Sequence, residues 1–221
     1  MKTEDIIIVN LDFVNAFLVK VNDEFILIDT GLPFHWQKLE SSLTSAGCTP
    51  GKLKLIIITH GDVDHVGNCV KLREKFNCKI AMHKDDSFMV ENAVPLKRKV
   101  RTLTGKIFYL LRRLKRKRLT FDKFKPDIYL ADGQNLNEYG LNAKVIHIPG
   151  HTKGSIGILT DDGTLFAGDI FTNREKPDKA FYIDNYKDLK NSYSRLKTLN
   201  IKMIYPGHGK PFEMNQIVKK L

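Results

Sequence analysis

The residues best suited to chemistry in this chain are those of His60-Gly61-Asp62-Val63-Asp64-His65, four titratable groups within six positions. Packing so many polar side chains together without a cation would leave several unsatisfied, so the run predicts a metal site. Asp29, His151, Asp169 and His208 stand directly after apolar stretches, where an unpaired polar group is costly. Each lies in a glycine-containing turn: Asp29-Thr30-Gly31, Pro149-Gly150-His151, Gly168-Asp169 and Gly207-His208-Gly209. Glycine permits the close backbone approach that such loops need to present side chains to a shared cleft. His35, His83 and His147 have only an isolated position to recommend them and are read as structural.

The elements that must position these groups follow from hydrophobic patterning. Ile6–Val9, Phe13–Val21 and Phe25–Ile28 are β-branched and aromatic runs separated by polar turn-formers, which predicts three strands. Trp36, Leu39 and Leu43 recur at helical spacing between Phe34 and Ala46, and Lys54–Thr59 reads as a strand buried on both faces. A helix over Val66–Phe76 and a strand over Lys79–Met82 follow. Beyond residue 126, strands are expected at Ile128–Leu130, Ala143–Ile148, Ser155–Leu159, Thr164–Ala167 and Ile201–Tyr205, with a helix over Lys187–Leu199. Strands and helices mixed in both halves predict one α/β domain of layered sheets flanked by helices over residues 1–221.

Composition narrows the function classes. Apolar residues make up 42% of the 221, enough for a sizeable core, and no run approaches the length of a membrane span. The N-terminus lacks the features of a signal peptide, and three cysteines without metal-type spacing suit a reducing compartment, so a cytoplasmic location is expected. The net charge of +11 is local: between Asn92 and Phe121 there are eleven Lys or Arg and no Asp or Glu. Removing those eleven leaves 25 basic residues against 25 acidic, so one segment carries the whole excess.

The segment Thr59-His60-Gly61-Asp62-Val63-Asp64-His65-Val66-Gly67 resembles the T-H-x-H-x-D-H-x-G motif of the metallo-β-lactamase superfamily. Ile28-Asp29-Thr30-Gly31, Pro149-Gly150-His151-Thr152, Phe166-Ala167-Gly168-Asp169 and Pro206-Gly207-His208-Gly209 resemble that family's other motifs, in order. The resemblance implies a four-layer αββα sandwich with a binuclear centre at one edge. By position, His60 and His151 would bind the first metal. Asp64, His65 and His208 would bind the second, Asp169 would bridge, and Asp29 would orient a ligand histidine through a hydrogen bond. The implied cofactors are two divalent ions, zinc first. The implied reaction is attack by a metal-bound hydroxide on a small ester, thioester or lactone, with Asp64 as the catalytic residue.

Asp62 departs from the family motif, which has histidine there. Two divalent cations set against Asp64, Asp169 and a hydroxide leave a net charge of +1, and coordination by Asp62 takes it to zero. Such a centre favours harder ions, so iron or manganese are alternatives to zinc. Flavodiiron proteins, on the same fold, carry a glutamate at this place and bind two irons. Asp62 is one methylene shorter, and the other outcome is that it fails to reach, leaving the first site weak.

The basic segment forms an insertion over about residues 92–126. From Lys97 to Arg118, Val100, Leu103, Ile107, Leu110, Leu111 and Leu114 recur at three- and four-residue steps, as in an amphipathic helix. A lid with solvated charges is one reading. Contact of residues 97–118 with nucleic acid or an anionic membrane is another. Two alternatives to a small-molecule hydrolase stand beside these: a metal-dependent phosphodiesterase or nuclease, and a diiron or sensor-type protein without hydrolytic activity.

Overall fold

The computed structural model describes residues 5–94, 99–100 and 120–221. β1 (Ile6–Leu11), β2 (Val14–Val21) and β3 (Glu24–Ile28) form an antiparallel meander. Asp12 and Asn22 turn the chain with φ of 64° and 54°, a conformation that Asp and Asn tolerate best among residues with a β-carbon. After α1 (Trp36–Ser45), β4 (Leu53–Ile58) lies parallel to β3. Next come α2 (Val63–Val66), α3 (Cys69–Phe76), β5 (Lys79–His83), α4 (Ser87–Asn92) and β6 (Lys99–Val100). With β7 (Ile128–Leu130), the first sheet runs β1-β2-β3-β4-β5-β7.

The second sheet is built from β8 (Ala143–His147), β9 (Ile156–Thr160), β10 (Thr164–Asn173), β11 (Asp178–Lys179), β13 (Met203–Gly209) and β14 (Phe212–Glu213). Its order is β14-β13-β10-β9-β8, with β11 on β10. β12 (Tyr182–Ile183), α5 (Tyr186–Leu196) and α6 (Asn215–Val218) complete the chain.

Alternation along each buried strand divides the core into three. Phe17, Ile26, Ile28, Leu55 and Ile57 meet Val145, Ile158, Phe166 and Tyr205 between the sheets. Leu18, Leu27, Ile56 and Ile58 face Leu39, Leu43, Leu72 and Phe76 of the first helical layer. Leu189, Tyr193 and Leu196 of α5 cover the far face of the second sheet with Leu165 and Ile204. The result is the expected αββα sandwich, and the double-sided burial explains the continuous apolar run of β4. Among the described residues no helix is long and apolar enough to cross a membrane.

Four expectations need correction. Asp169 and His208 do not stand in turns after their strands but inside β10 and β13. These strands pair in parallel across irregular register between Phe166 and Thr172, which lets polar residues occupy ladder positions. The helix expected from Val66 begins earlier, at Val63, and breaks at Gly67, whose amide is drawn to the Gly31 carbonyl at 2.9 Å. The helix expected from Lys97 is replaced at Lys99–Val100 by a short strand paired antiparallel with β12 in a separate two-stranded ladder, where backbone pairing with another segment overrides the local helical pattern. The remainder of the amphipathic stripe, from Leu103 to Leu114, lies outside the described residues. At the margins of the expected insertion, Asn92 ends α4 and Phe124 is buried in the core under the first helical layer.

Phe17, Phe166 and Tyr205 meet with ring centroids 5.3–5.6 Å apart at the centre of the sandwich. Phe17→Ala is expected to destabilise the fold by about 3–5 kcal/mol, read as a lower midpoint in urea denaturation.

Candidate metal centre

β3 and β4 are parallel and end side by side, which sets Asp29 next to Thr59. Asp29 adopts φ 60°, held there by what its carboxylate does. Oδ1 accepts the Thr59 N–H at 2.8 Å, and Oδ2 accepts both the Thr59 hydroxyl and His65 Nδ1–H at 2.8 Å. Having donated to Asp29, the Thr59 hydroxyl accepts from His60 Nδ1 at 3.0 Å. One buried carboxylate therefore orients two histidines.

The other two imidazoles are held by backbone carbonyls. His151 Nδ1 donates to the Tyr182 carbonyl at 2.9 Å, and His208 Nδ1 donates to the carbonyl of Phe13. Because all four Nδ1 atoms are committed outward, Nε2 is the atom that each ring presents to the cleft. Asn15, buried in β2, donates to the Pro206 and Gly209 carbonyls at 3.1 and 2.7 Å and pins the strand that carries His208.

The carboxylates fill the space between these nitrogens. Asp62 Oδ2 lies 3.4 Å from His60 Nε2 and 3.2 Å from His151 Nε2. Asp64 Oδ2 is 3.4 Å from His208 Nε2. Asp169 stands between the groups, with Oδ1 3.3 Å from His65 Nε2 and Oδ2 3.2 Å from His208 Nε2 and 3.8 Å from His151 Nε2. His60, Asp62 and His151 place their donor atoms within 4.8 Å of one another, as do Asp64, His65 and His208. Gly207 makes this proximity possible, since a β-carbon there would sit 2.4 Å from Asp169 Oδ1.

Do these donors suit a cation? His60 Nε2, His65 Nε2 and Asp169 Oδ1 are buried without a hydrogen-bond partner among the described residues, which is costly unless an ion takes them up. Burial lowers the pKa of His60, reinforced by the charge of His65. Burial would lower His65 too, but Asp29 and Asp169 outweigh it and hold this imidazole well above its ordinary value. His208 is raised to about 9 because Asp169 and Asp64 overcome the same penalty. Against burial, His208 and His65 keep Asp169 well below the usual carboxylate range, and Asp64 is lowered in the same way. Anionic carboxylates and cationic imidazoles thus face each other where a metal ion would compete with protons.

A further group, His83, Asp85 and His147, also brings donors together. Its two rings stack with centroids 4.1 Å apart and planes 9° apart. An ion cannot lie in both of two parallel offset planes, so this pair is a stacking contact that joins β5 to β8.

Every residue singled out in the sequence, namely Asp29, His60, Asp62, Asp64, His65, His151, Asp169 and His208, is found at this one edge of the sandwich. Sequence reading missed Asn15, Thr59 and Asp86, along with the carbonyls of Phe13 and Tyr182. Thr59 was legible as the hydroxyl residue between a strand and His60. The carbonyls had no signal, because any residue supplies one.

Comparison with known proteins agrees with this geometry. The profile described as the Metallo-beta-lactamase superfamily matches residues 9–208. The chain is 29% identical over 162 residues to the hydroxyacylglutathione hydrolase GloC of Haemophilus influenzae, covering 71% of this chain and 69% of that protein. It is 25% identical over 211 residues to the probable metallo-hydrolase YybB of Bacillus subtilis, covering 94% and 86%. The uncharacterized protein YobT of Bacillus subtilis is 30% identical, and the chain spans 63% of its length. A metallo-beta-lactamase family protein from Thermus thermophilus superposes with a TM-score of 0.73 at 22% identity, covering 97% of this chain and 75% of that one.

His65 and His208 carry protons at neutral pH when no ion is bound, so metal must displace them. Metal binding at pH 7 should release protons, and affinity should rise as pH increases through about 9, where His208 deprotonates. Calorimetric titration in buffers of different ionisation enthalpy measures both effects, and a buffer-independent heat would contradict the assignment.

Proposed function

The chain belongs to the metallo-beta-lactamase superfamily, and from that premise we propose that it is a binuclear metallohydrolase acting on a small thioester, ester or lactone. The observation that carries this reading is the convergence of four imidazole Nε2 atoms and three carboxylates on one cleft. In this reading His60, Asp62 and His151 hold one ion, Asp64, His65 and His208 hold the other, and Asp169 lies between them. Zinc is the first expectation, and the three carboxylates also suit iron or manganese. When bound, two such ions acidify water and polarise the carbonyl oxygen under attack.

The chain's own residues supply orientation and proton handling. Asp29, Thr59 and the Tyr182 and Phe13 carbonyls fix the four rings, so no reorientation is needed when substrate arrives. Asp64 is ionised, because its neighbours lower its pKa, and its side chain keeps 24% exposure towards solvent. We assign it the catalytic role in this reading: an ionised, partly exposed carboxylate beside the metal-binding atoms would accept a proton from attacking water and return it to the leaving group. The relative named as a hydroxyacylglutathione hydrolase directs the substrate class towards thioesters. The three cysteines are buried and unpaired, which supports a reducing, cytoplasmic setting.

A second reading keeps the metal chemistry and changes the substrate. The eleven basic residues between Asn92 and Phe121, without an acidic one, favour a polyanion, and nucleic acid as a phosphodiester substrate is that reading.

Protein loaded with zinc, iron or manganese and offered a glutathione thioester, an aryl ester, a lactone and a phosphodiester separates these outcomes. Turnover of the thioester or ester, lost on chelation and reduced about 100-fold or more in Asp64→Asn, is expected. Preferential phosphodiester cleavage with salt-sensitive nucleic-acid binding would select the second reading. A metal-loaded protein without any turnover would point to a sensor. Asp62→His should shift metal preference towards zinc, and unchanged stoichiometry and identity would remove Asp62 from the ligand set.

A further inference from the structure

The loop that carries His60 and Asp62 leaves the first sheet, whereas the loop that carries His151 leaves the second. One buried side chain ties them together. Asp86 lies between β5 and α4 and has no solvent exposure. Its Oδ2 accepts the N–H of Gly61 at 2.8 Å, and its Oδ1 accepts the N–H of Gly154 at 2.7 Å. Gly61 stands between His60 and Asp62, and Gly154 lies three residues past His151.

A carboxylate suits this task because it accepts at two oxygens facing different ways, and amide dipoles balance its charge. The fit is tight on the second-sheet side: a β-carbon at Gly154 would lie 2.7 Å from the Asp86 carboxyl. The brace touches one half of the centre only. His65 is oriented by Asp29, and His208 by the Phe13 carbonyl, on other elements.

We propose that Asp86 is the positioning residue of the first subsite, holding His60 and Asp62 in register with His151 across the two sheets. This rests on reading the cleft as a metal centre. Loss of Asp86 frees two loops that converge on one ion and leaves the anchors of the other ion in place.

Metal-free full-length protein titrated with zinc, with ions per chain measured after gel filtration, tests the assignment. Wild type should take up two ions. Asp86→Ala should keep one and bind the other about 10- to 100-fold more weakly. Asp86→Asn retains an acceptor for only one of the two N–H groups and should fall between. Adding His60→Ala to Asp86→Ala should change little, whereas adding His208→Ala should remove the remaining ion. Two ions retained at unchanged affinity, or both weakened alike in a folded variant, would overturn the role of Asp86. If Asp86→Ala does not fold, the same split in Asp86→Asn decides. A wild type that binds no zinc, iron or manganese sinks the metal-centre reading and this proposal with it.

Discussion

The cleft depends on one carboxylate more than on any other group. Asp29 binds the Thr59 amide, the Thr59 hydroxyl and His65 Nδ1, and through that hydroxyl it also fixes His60. The arrangement is possible because β3 and β4 run parallel and end together, so the first residue past one strand faces the first past the other. A left-handed backbone at a residue with a β-carbon is unfavourable, and here three hydrogen bonds to one side chain over-determine it. The second sheet repeats the logic with cheaper means: a parallel pair, β10 and β13, carries Asp169 and His208 within its ladder.

How much of this was legible follows from what a side chain can announce. Asp29 and the His60–His65 run were readable because charged and imidazole groups directly after buried apolar strands have few structural reasons to be there. Layered sheets flanked by helices were readable from the same strands, since Ile56 and Ile57 are buried on opposite faces, whereas the four-layer arrangement came with the family resemblance. Asp86 was not readable. It sits in Lys84-Asp85-Asp86, where an exposed acidic turn is the ordinary reading, and only the folded loops reveal two amides aimed at it. Helical periodicity misled at Lys99–Val100, where the local pattern gives way to an available strand partner.

Asp62 alters the balance of the proposed centre as well as its charge. With aspartate there, each subsite has two imidazoles and one carboxylate of its own, and Asp169 lies between them. The two subsites are alike in donor type, so a difference between them must come from the groups behind the donors. His65 rests on a carboxylate, whereas His60 rests on a hydroxyl and His151 and His208 on carbonyls. An imidazole backed by an anion is the more basic donor.

That asymmetry gives the two halves different physical characters. The subsite of His65 has a ring whose basicity is raised by Asp29 and Asp169, and its donors are fixed by the first sheet and by the strand that Asn15 pins to it. The subsite of His60, Asp62 and His151 is assembled from loops of opposite sheets, and its first imidazole has a lowered pKa from burial. One half competes with protons and should bind firmly once they leave. In the other half His60 holds a proton less readily, and the donors come from two loops that must stay in registry. Loop registry therefore bears most on the first subsite and the protons of His65 and His208 on the second, although the donor types are the same.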